Sequence, residues 1–169
     1  MRLHIGCGPR VLDDWTNIDV QRHPDAPRDP EILAHAKSVP LGDATAVTIM
    51  AIHLWEHFYR WECEEVIREW RRLLRPGGNL ILELPDLEKC CRNILEGYEG
   101  KHPGQLGMWG LYGDPRTQDP YMCHRWGWTP TSIKAFLKHH GFVRIHEAPT
   151  QYHPTGRERR DMRIECTRA

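Results

Sequence analysis

The sequence lacks an excess of charge of either sign. In 169 residues, Lys plus Arg and Asp plus Glu each number 23, giving a formal net charge of zero. That argues against a large basic face for nucleic acid. Missing as well is any apolar run near the roughly 20 residues needed to cross a bilayer, and the opening residues do not read as a signal peptide, so none is expected. The six cysteines (Cys7, Cys63, Cys90, Cys91, Cys123, Cys166) contain no CxxC spacing and no zinc-type pairing. They are therefore expected as thiols in a soluble, cytoplasmic protein. The length fits one domain, residues 1–169, with a single core.

What the chain does have begins at its front. Arg2 to Val20 reads as a short strand (Leu3, His4, Ile5), a glycine turn (Gly6, Cys7, Gly8) and a second short strand, Thr16 to Val20, which carries Asp19. Glycines after a strand let bare backbone approach a ligand, and an acid on the neighbouring strand is placed to accept hydrogen bonds from ribose hydroxyls. The pattern predicts a nucleoside site at the carboxyl ends of parallel strands. A nicotinamide dinucleotide site would continue as GxGxxG, but the six residues from Gly6 are GCGPRV, and Val11 stands where the third glycine belongs.

Downstream, Glu31 to Ala36 reads as a short third strand and Ala46 to Ile52 as a β-rich buried one. Glu62 to Leu74 has helical periodicity with acids early and arginines late, as the helix dipole favours. Pro76-Gly77-Gly78 ends that helix and Asn79 to Leu84 is a strand. Leu87 to Leu95 reads as a short helix. Residues 96–128 form an irregular insertion with seven glycines and several aromatics, expected to cover the site. Thr129-Pro130 opens a further helix ended by Gly141. Phe142 to Glu147 is a strand, Gln151 to Gly156 a loop, Arg157 to Arg160 a solvated lead-in, and the alternation around Met162, Ile164 and Cys166 a half-exposed last strand.

Four stretches in this order, LHIGCGPRVLDDWTNIDV (3–20), IHLWEHF (52–58), EVIREWRRLLRPGGNLILELPDL (65–87) and HRWGWTPTSIKAFLKHHGF (124–142), resemble a small subgroup of the class I S-adenosylmethionine-dependent methyltransferases. The resemblance implies an α/β, Rossmann-like, doubly wound fold: a mostly parallel sheet of about seven strands with an antiparallel last strand, in a three-layer sandwich. It implies S-adenosyl-L-methionine as cofactor, with Gly6, Cys7 and Gly8 facing its methionine part, Asp19 its ribose and Val20 its adenine. Ile52 and His53 would lie beneath it. His35 aligns where many members carry an acid for the adenine amino group, and a neutral imidazole there would have to accept that hydrogen bond. Gly8 and Asp19 are only eleven positions apart, so the first helix of the family is expected to be missing, exposing apolar sheet that a homodimer would cover.

The implied function is methyl transfer to a small-molecule or sugar-like acceptor. A hydroxyl acceptor needs a base. His124, at the end of the irregular insertion, is the first candidate; His57 and Asp86 are the others. Each has a plainer reading: His124 pinning the insertion, His57 packing with Glu56, and Asp86 capping a helix. The alternative in another class is a non-catalytic protein that binds the cofactor or keeps only the fold and acts through oligomerisation. A minor alternative is a zinc metallopeptidase, since HLWEH (53–57) fits H-x-x-E-H. That pattern needs both histidines on one helical face and a third ligand, yet the stretch directly follows a buried strand, so no residue is assigned to a metal.

Overall fold

The computed structural model describes residues 1–152 and 158–169. Seven strands form one sheet: β1 (Arg2–Ile5), β2 (Thr16–Asp19), β3 (Ile32–Leu33), β4 (Ala46–Ile52), β5 (Leu74–Pro85), β6 (Phe142–Ala148) and β7 (Asp161–Arg168). Their spatial order is β3-β2-β1-β4-β5-β7-β6. The five strands from β3 to β5 pair in parallel, and β7 lies antiparallel between β5 and β6. This is the mostly parallel, Rossmann-like sheet expected from the sequence. The chain order reverses between β1 and β4, which opens a crevice at the carboxyl ends of the parallel strands.

The register separates two faces. Thr16, Leu3, Ile49, Leu80 and Cys166 stand in one cross-strand row, and Asn17, His4, Met50, Ile81 and Glu165 in the next. The first face is apolar. Against it lie α1 (Cys63–Leu73), which buries Val66, Ile67, Trp70 and Leu73, and α4 (Pro130–His139), which buries Ile133, Phe136 and Leu137. Trp55 joins the two helices, with its ring centroid 5.2 Å from Trp70 and 6.0 Å from Phe136. Thr129 and Ser132 close a reciprocal capping box at the start of α4. Two further helices, α2 (Leu87–Glu96) and α3 (Met108–Tyr112), pack on each other beyond the end of β5.

The second face is the one on which the first helix was expected to be missing. Right-handed crossovers from β1 to β2 and from β2 to β3 run over that face, but none of residues 6–15 or 20–31, all described, is helical. The sheet is not left apolar there. Asn17, fully buried, accepts from the backbone N–H of Leu12 and donates to the carbonyls of Leu12 and Trp15 and to Glu31, pinning the short connection across the face. His4 lies beside Asn17 at 3.2 Å, and Glu83 and Arg163 form a buried pair farther along. Polar and apolar side chains thus share this face, where Met50 and Ile81, partly exposed, stand between His4 and Glu165 in one cross-strand row.

Strand β7 corrects an expectation. It is an interior strand with six of its eight residues buried, not a half-exposed one, because its polar side chains are paired: Arg163 meets Glu83 and Glu165, and Asp161 meets Arg160. The expected loop and lead-in over residues 151–160 fall partly on 153–157, outside the described residues. No helix among the described residues is long and apolar enough to cross a membrane.

Candidate functional site

The glycine turn after β1 is shaped by parallel pairing. Gly6 and Cys7 both donate their backbone N–H to the Ile18 carbonyl, at 2.8 and 3.2 Å. The turn then places Gly6 at φ 71° and Gly8 at φ 52°, in the left-handed region that favours glycine. Gly8 donates its N–H to Asp19 Oδ2 at 2.8 Å, and Gln21 N–H donates to Oδ1 at 3.2 Å. Each Asp19 oxygen thus accepts one backbone hydrogen bond and keeps a lone pair for a ligand. A Cβ on Gly6 would meet the Leu54 side chain at 2.7 Å, whereas one on Gly8 would meet nothing within 4 Å among the described residues. The space before Gly8 belongs to a cavity of about 460 Å³ at the carboxyl ends of β1, β2 and β4.

All eight residues expected around a cofactor, Gly6, Cys7, Gly8, Asp19, Val20, His35, Ile52 and His53, line this cavity. Burial, with help from the Asp19 charge, pushes the Cys7 thiol up to about 12, so it presents a neutral S–H. His35 departs from its expected chemistry. Its Nδ1 accepts the Lys37 backbone N–H at 3.2 Å, so in the neutral ring the proton sits on Nε2. The free nitrogen donates, and it suits a ring-nitrogen acceptor rather than an amino group.

His53 follows β4 with φ 50°, a conformation costing of order 1–3 kcal/mol that the surroundings must hold in place. Its Nδ1 lies 3.0 Å from Glu56 Oε1 and its Nε2 3.1 Å from Asp161 Oδ2. Burial alone would lower the His53 pKa, but the two hydrogen-bonded carboxylates outweigh it and raise it to about 9. In turn, although burial opposes it, the imidazolium holds both Glu56 and Asp161 below the usual carboxylate range. Arg160 completes the set through a 2.6 Å contact with Asp161.

The two histidines expected as catalytic groups come together on the far side of Glu56. His57 and His124 line the cavity with ring centroids 4.9 Å apart, and His124 Nε2 is 3.9 Å from Glu56 Oε1. Burial lowers the His124 pKa more than Glu56 raises it, so the ring is neutral near pH 7. Its position depends on the insertion. His124 Nδ1 meets the Gly110 carbonyl at 2.9 Å, and Arg125 and Trp126 donate backbone N–H to the Glu56 carbonyl. Trp109, from α3, lines the cavity, stacks on His102 and lies under the Arg116 guanidinium at 4.6 Å.

Asp86 does not join them. It is the N-cap of α2, accepts from the Glu88 N–H at 2.9 Å and does not line the cavity, so the helix-capping reading describes its position. The HLWEH stretch likewise forms no helix with paired histidines. Only Trp55–His57 make a 3₁₀ turn, and His53 faces Glu56 and Asp161 while His57 faces His124. Of the aromatics in the insertion, Trp109 lines the cavity, Trp128 is buried in the core beside Phe136, and Tyr112 and Trp126 are exposed. Sequence reasoning missed Glu56 as the hub of the histidines, and missed Tyr152, which lines the cavity and stacks under Arg10 at 4.2 Å.

Residues 13–82 match the methyltransferase domain family. No curated protein matches the chain. Among solved structures, a SAM-dependent methyltransferase from Methanosarcina mazei is 18% identical with a TM-score of 0.60, over 99% of this chain and 91% of that one. A SAM-dependent methyltransferase from Archaeoglobus fulgidus is 14% identical with a TM-score of 0.66, over 99% and 85%. The Burkholderia thailandensis 1,6-didemethyltoxoflavin-N1-methyltransferase, solved with its acceptor and S-adenosylhomocysteine, is 12% identical with a TM-score of 0.63, over 99% and 70%.

Proposed function

We propose that this chain, a class I S-adenosylmethionine-dependent methyltransferase in fold and in the domain matched over residues 13–82, methylates a small acceptor held between the glycine turn and the His57–His124 pair. When bound, S-adenosylmethionine supplies a methyl group already activated by a positive sulfur. The protein has to orient, exclude water and, for a hydroxyl acceptor, take up a proton.

The observation that carries this reading is the division of one cavity into two chemically different halves. On one side stand bare backbone at Gly8, the lone pairs of Asp19 and a donor at His35, which suit a ribose and an adenine ring. On the other stand two imidazoles whose Nδ1 atoms are held by backbone carbonyls, leaving Nε2 of each as a base. His124 is the group assigned to take the acceptor's proton at Nε2, with Glu56 behind it to stabilise the imidazolium. Size supports the acceptor class. A 460 Å³ cavity sits in the lower half of the ~300–1,000 Å³ range for single ligand sites, so beside a nucleoside cofactor little room remains.

Titration calorimetry with S-adenosylhomocysteine tests the cofactor half. Asp19→Ala should weaken binding at least tenfold, about 1.4 kcal/mol. Release of S-adenosylhomocysteine in the presence of a panel of small hydroxyl acceptors then tests the transfer. A folded protein that does not bind S-adenosylhomocysteine overturns the reading.

A further inference from the structure

Beside the cavity, Glu56, His57 and His124 each offer a ligand atom, all within 4.8 Å of one another. The tautomers are fixed from outside the cluster. His57 Nδ1 faces the Cys123 carbonyl at 3.2 Å and His124 Nδ1 faces the Gly110 carbonyl at 2.9 Å. A carbonyl only accepts, so in the neutral rings both Nδ1 atoms carry the hydrogen and both Nε2 atoms present lone pairs. The third member is an acceptor too. Glu56 is 2% exposed; its Oε1 is engaged by His53, while its Oε2 is buried without a hydrogen-bond partner among the described residues. Three acceptors thus converge with no donor among them. Such a set is satisfied by a cation at its centre.

We propose that Glu56, His57 and His124 bind a divalent first-row transition ion of the zinc class, with open coordination positions facing the cavity. Two imidazoles and a carboxylate match that ion class, which prefers nitrogen over the all-oxygen shells of calcium and magnesium. Two ligands each about 2.1 Å from a metal stand at most about 4.2 Å apart. His124 Nε2 and the Glu56 carboxylate, 3.9 Å apart at Oε1, already meet this limit, and since all three ligand atoms lie within 4.8 Å of one another no pair has to close by more than about 0.6 Å, within reach of side-chain rotation. The supporting shell is in place: a carbonyl behind each imidazole and His53 on the carboxylate.

The consequence for catalysis rests on the methyltransferase reading. An acceptor hydroxyl on such an ion would give up its proton to solvent near neutral pH, because His124 Nε2 is then taken by the ion. Its oxygen would form the bond to the methyl carbon as the carbon–sulfur bond breaks and S-adenosylhomocysteine leaves, so the ion takes over the activation otherwise assigned to His124 alone. The acceptor class narrows accordingly to small molecules with an oxygen able to ligate a metal.

The test uses the whole chain, stripped with a chelator, dialysed and titrated with Co²⁺ followed by visible absorption, and with Zn²⁺ by calorimetry. One saturable equivalent is expected. His57→Ala should weaken both at least tenfold; this partly exposed residue can be removed without opening the core. His124→Ala should do the same, and His139→Ala, an exposed surface histidine, should change nothing. Absence of a saturable equivalent, or equal binding by His57→Ala, overturns the site. S-adenosylhomocysteine titrated into the same preparation separates the two readings. If it binds where Co²⁺ does not, the metal site falls and the methyltransferase reading stands. If Co²⁺ binds and S-adenosylhomocysteine does not, the metal site stands and the methyltransferase reading falls.

Discussion

Alanine at Gly6 and at Gly8 should damage the protein in different ways, although both glycines sit at positive φ in the same turn. Each substitution places a non-glycine residue in the left-handed region, which costs about 1–2 kcal/mol. Gly6→Ala adds a collision. Its Cβ would stand 2.7, 2.8 and 2.9 Å from Leu54 Cδ2, Cδ1 and Cγ. Because Cγ is among the atoms struck, a terminal rotation of the leucine does not relieve the contact, and overpacking of this kind costs roughly 1–3 kcal/mol more. The total, about 2–5 kcal/mol, lowers the melting temperature by roughly 2–4 °C per kcal/mol in a chain of this size. Gly8→Ala meets nothing within 4 Å among the described residues, so only the backbone cost applies to stability. Its methyl group instead projects into the space the proposed cofactor fills, and S-adenosylhomocysteine affinity should fall at least tenfold. Differential scanning calorimetry and titration calorimetry on both variants read the two effects. Leu54→Ala in the Gly6→Ala background should recover part of the loss. Equal destabilisation by the two substitutions would refute the packing argument, and undiminished binding by Gly8→Ala would refute the placement of the cofactor.

Glu83→Ala should cost about 3–5 kcal/mol, because Glu83 accepts the N–H groups of Gln151 and Tyr152 at 2.9 Å each and faces the buried Arg163 guanidinium at 3.2 Å; the urea midpoint measures it, and a shift equivalent to under about 1 kcal/mol would mean that Glu165 alone compensates Arg163. Thr129→Ala removes half of the capping box on α4 and should cost about 1 kcal/mol, read the same way. Thiol titration with a disulfide reagent at pH 8 should count two fast groups, the exposed Cys91 and Cys123, since burial pushes Cys7, Cys63, Cys90 and Cys166 up to about 12; a fast third thiol in the native protein would contradict the buried setting of Cys7.

The parts of the fold legible in the sequence were those specified by neighbours along the chain. Helix α1 announces itself through a 3.6-residue period, α4 through Thr129-Pro130, and the site's cofactor half through a glycine turn only eleven positions from its acid. What escaped was specified across the chain. His57 and His124 are held together by Gly110, Cys123 and the Glu56 carbonyl, contacts with no sequence period. Strand β7 read as half-exposed because Asp161, Arg163 and Glu165 alternate with apolar residues. Alternation reports which side chains share a face, not whether that face meets water. Here Arg163 finds Glu83 and Glu165, so the polar face is buried as paired charge. Asn17 carries a similar lesson. An asparagine in a short strand gives no sign that it will take over the tethering of a connection too short for a helix.

Burying that much charge needs a reason, since apolar packing of the same volume is often equally stable. The register supplies one. Ile52, Glu83 and Arg163 share a cross-strand row, and Asp161 lies one step farther along the same face, opposite Pro85. The Glu83 carbonyl accepts the His53 N–H at 2.8 Å, fixing the strained residue that ends β4, and Asp161 accepts from the ring of the same histidine. His53 then orients Glu56, and Glu56 faces His124. A single run of buried polar contacts therefore extends from the antiparallel strand β7 to the imidazoles of the acceptor half. Breaking it at Asp161 should leave the glycine turn intact, because no bond of Gly6, Gly8 or Asp19 passes through β7. Asp161→Asn keeps the shape but weakens the hold on His53, and should reduce methyl transfer at least tenfold while S-adenosylhomocysteine affinity stays within about twofold. A loss of both together would mean that the two halves of the cavity are not built independently.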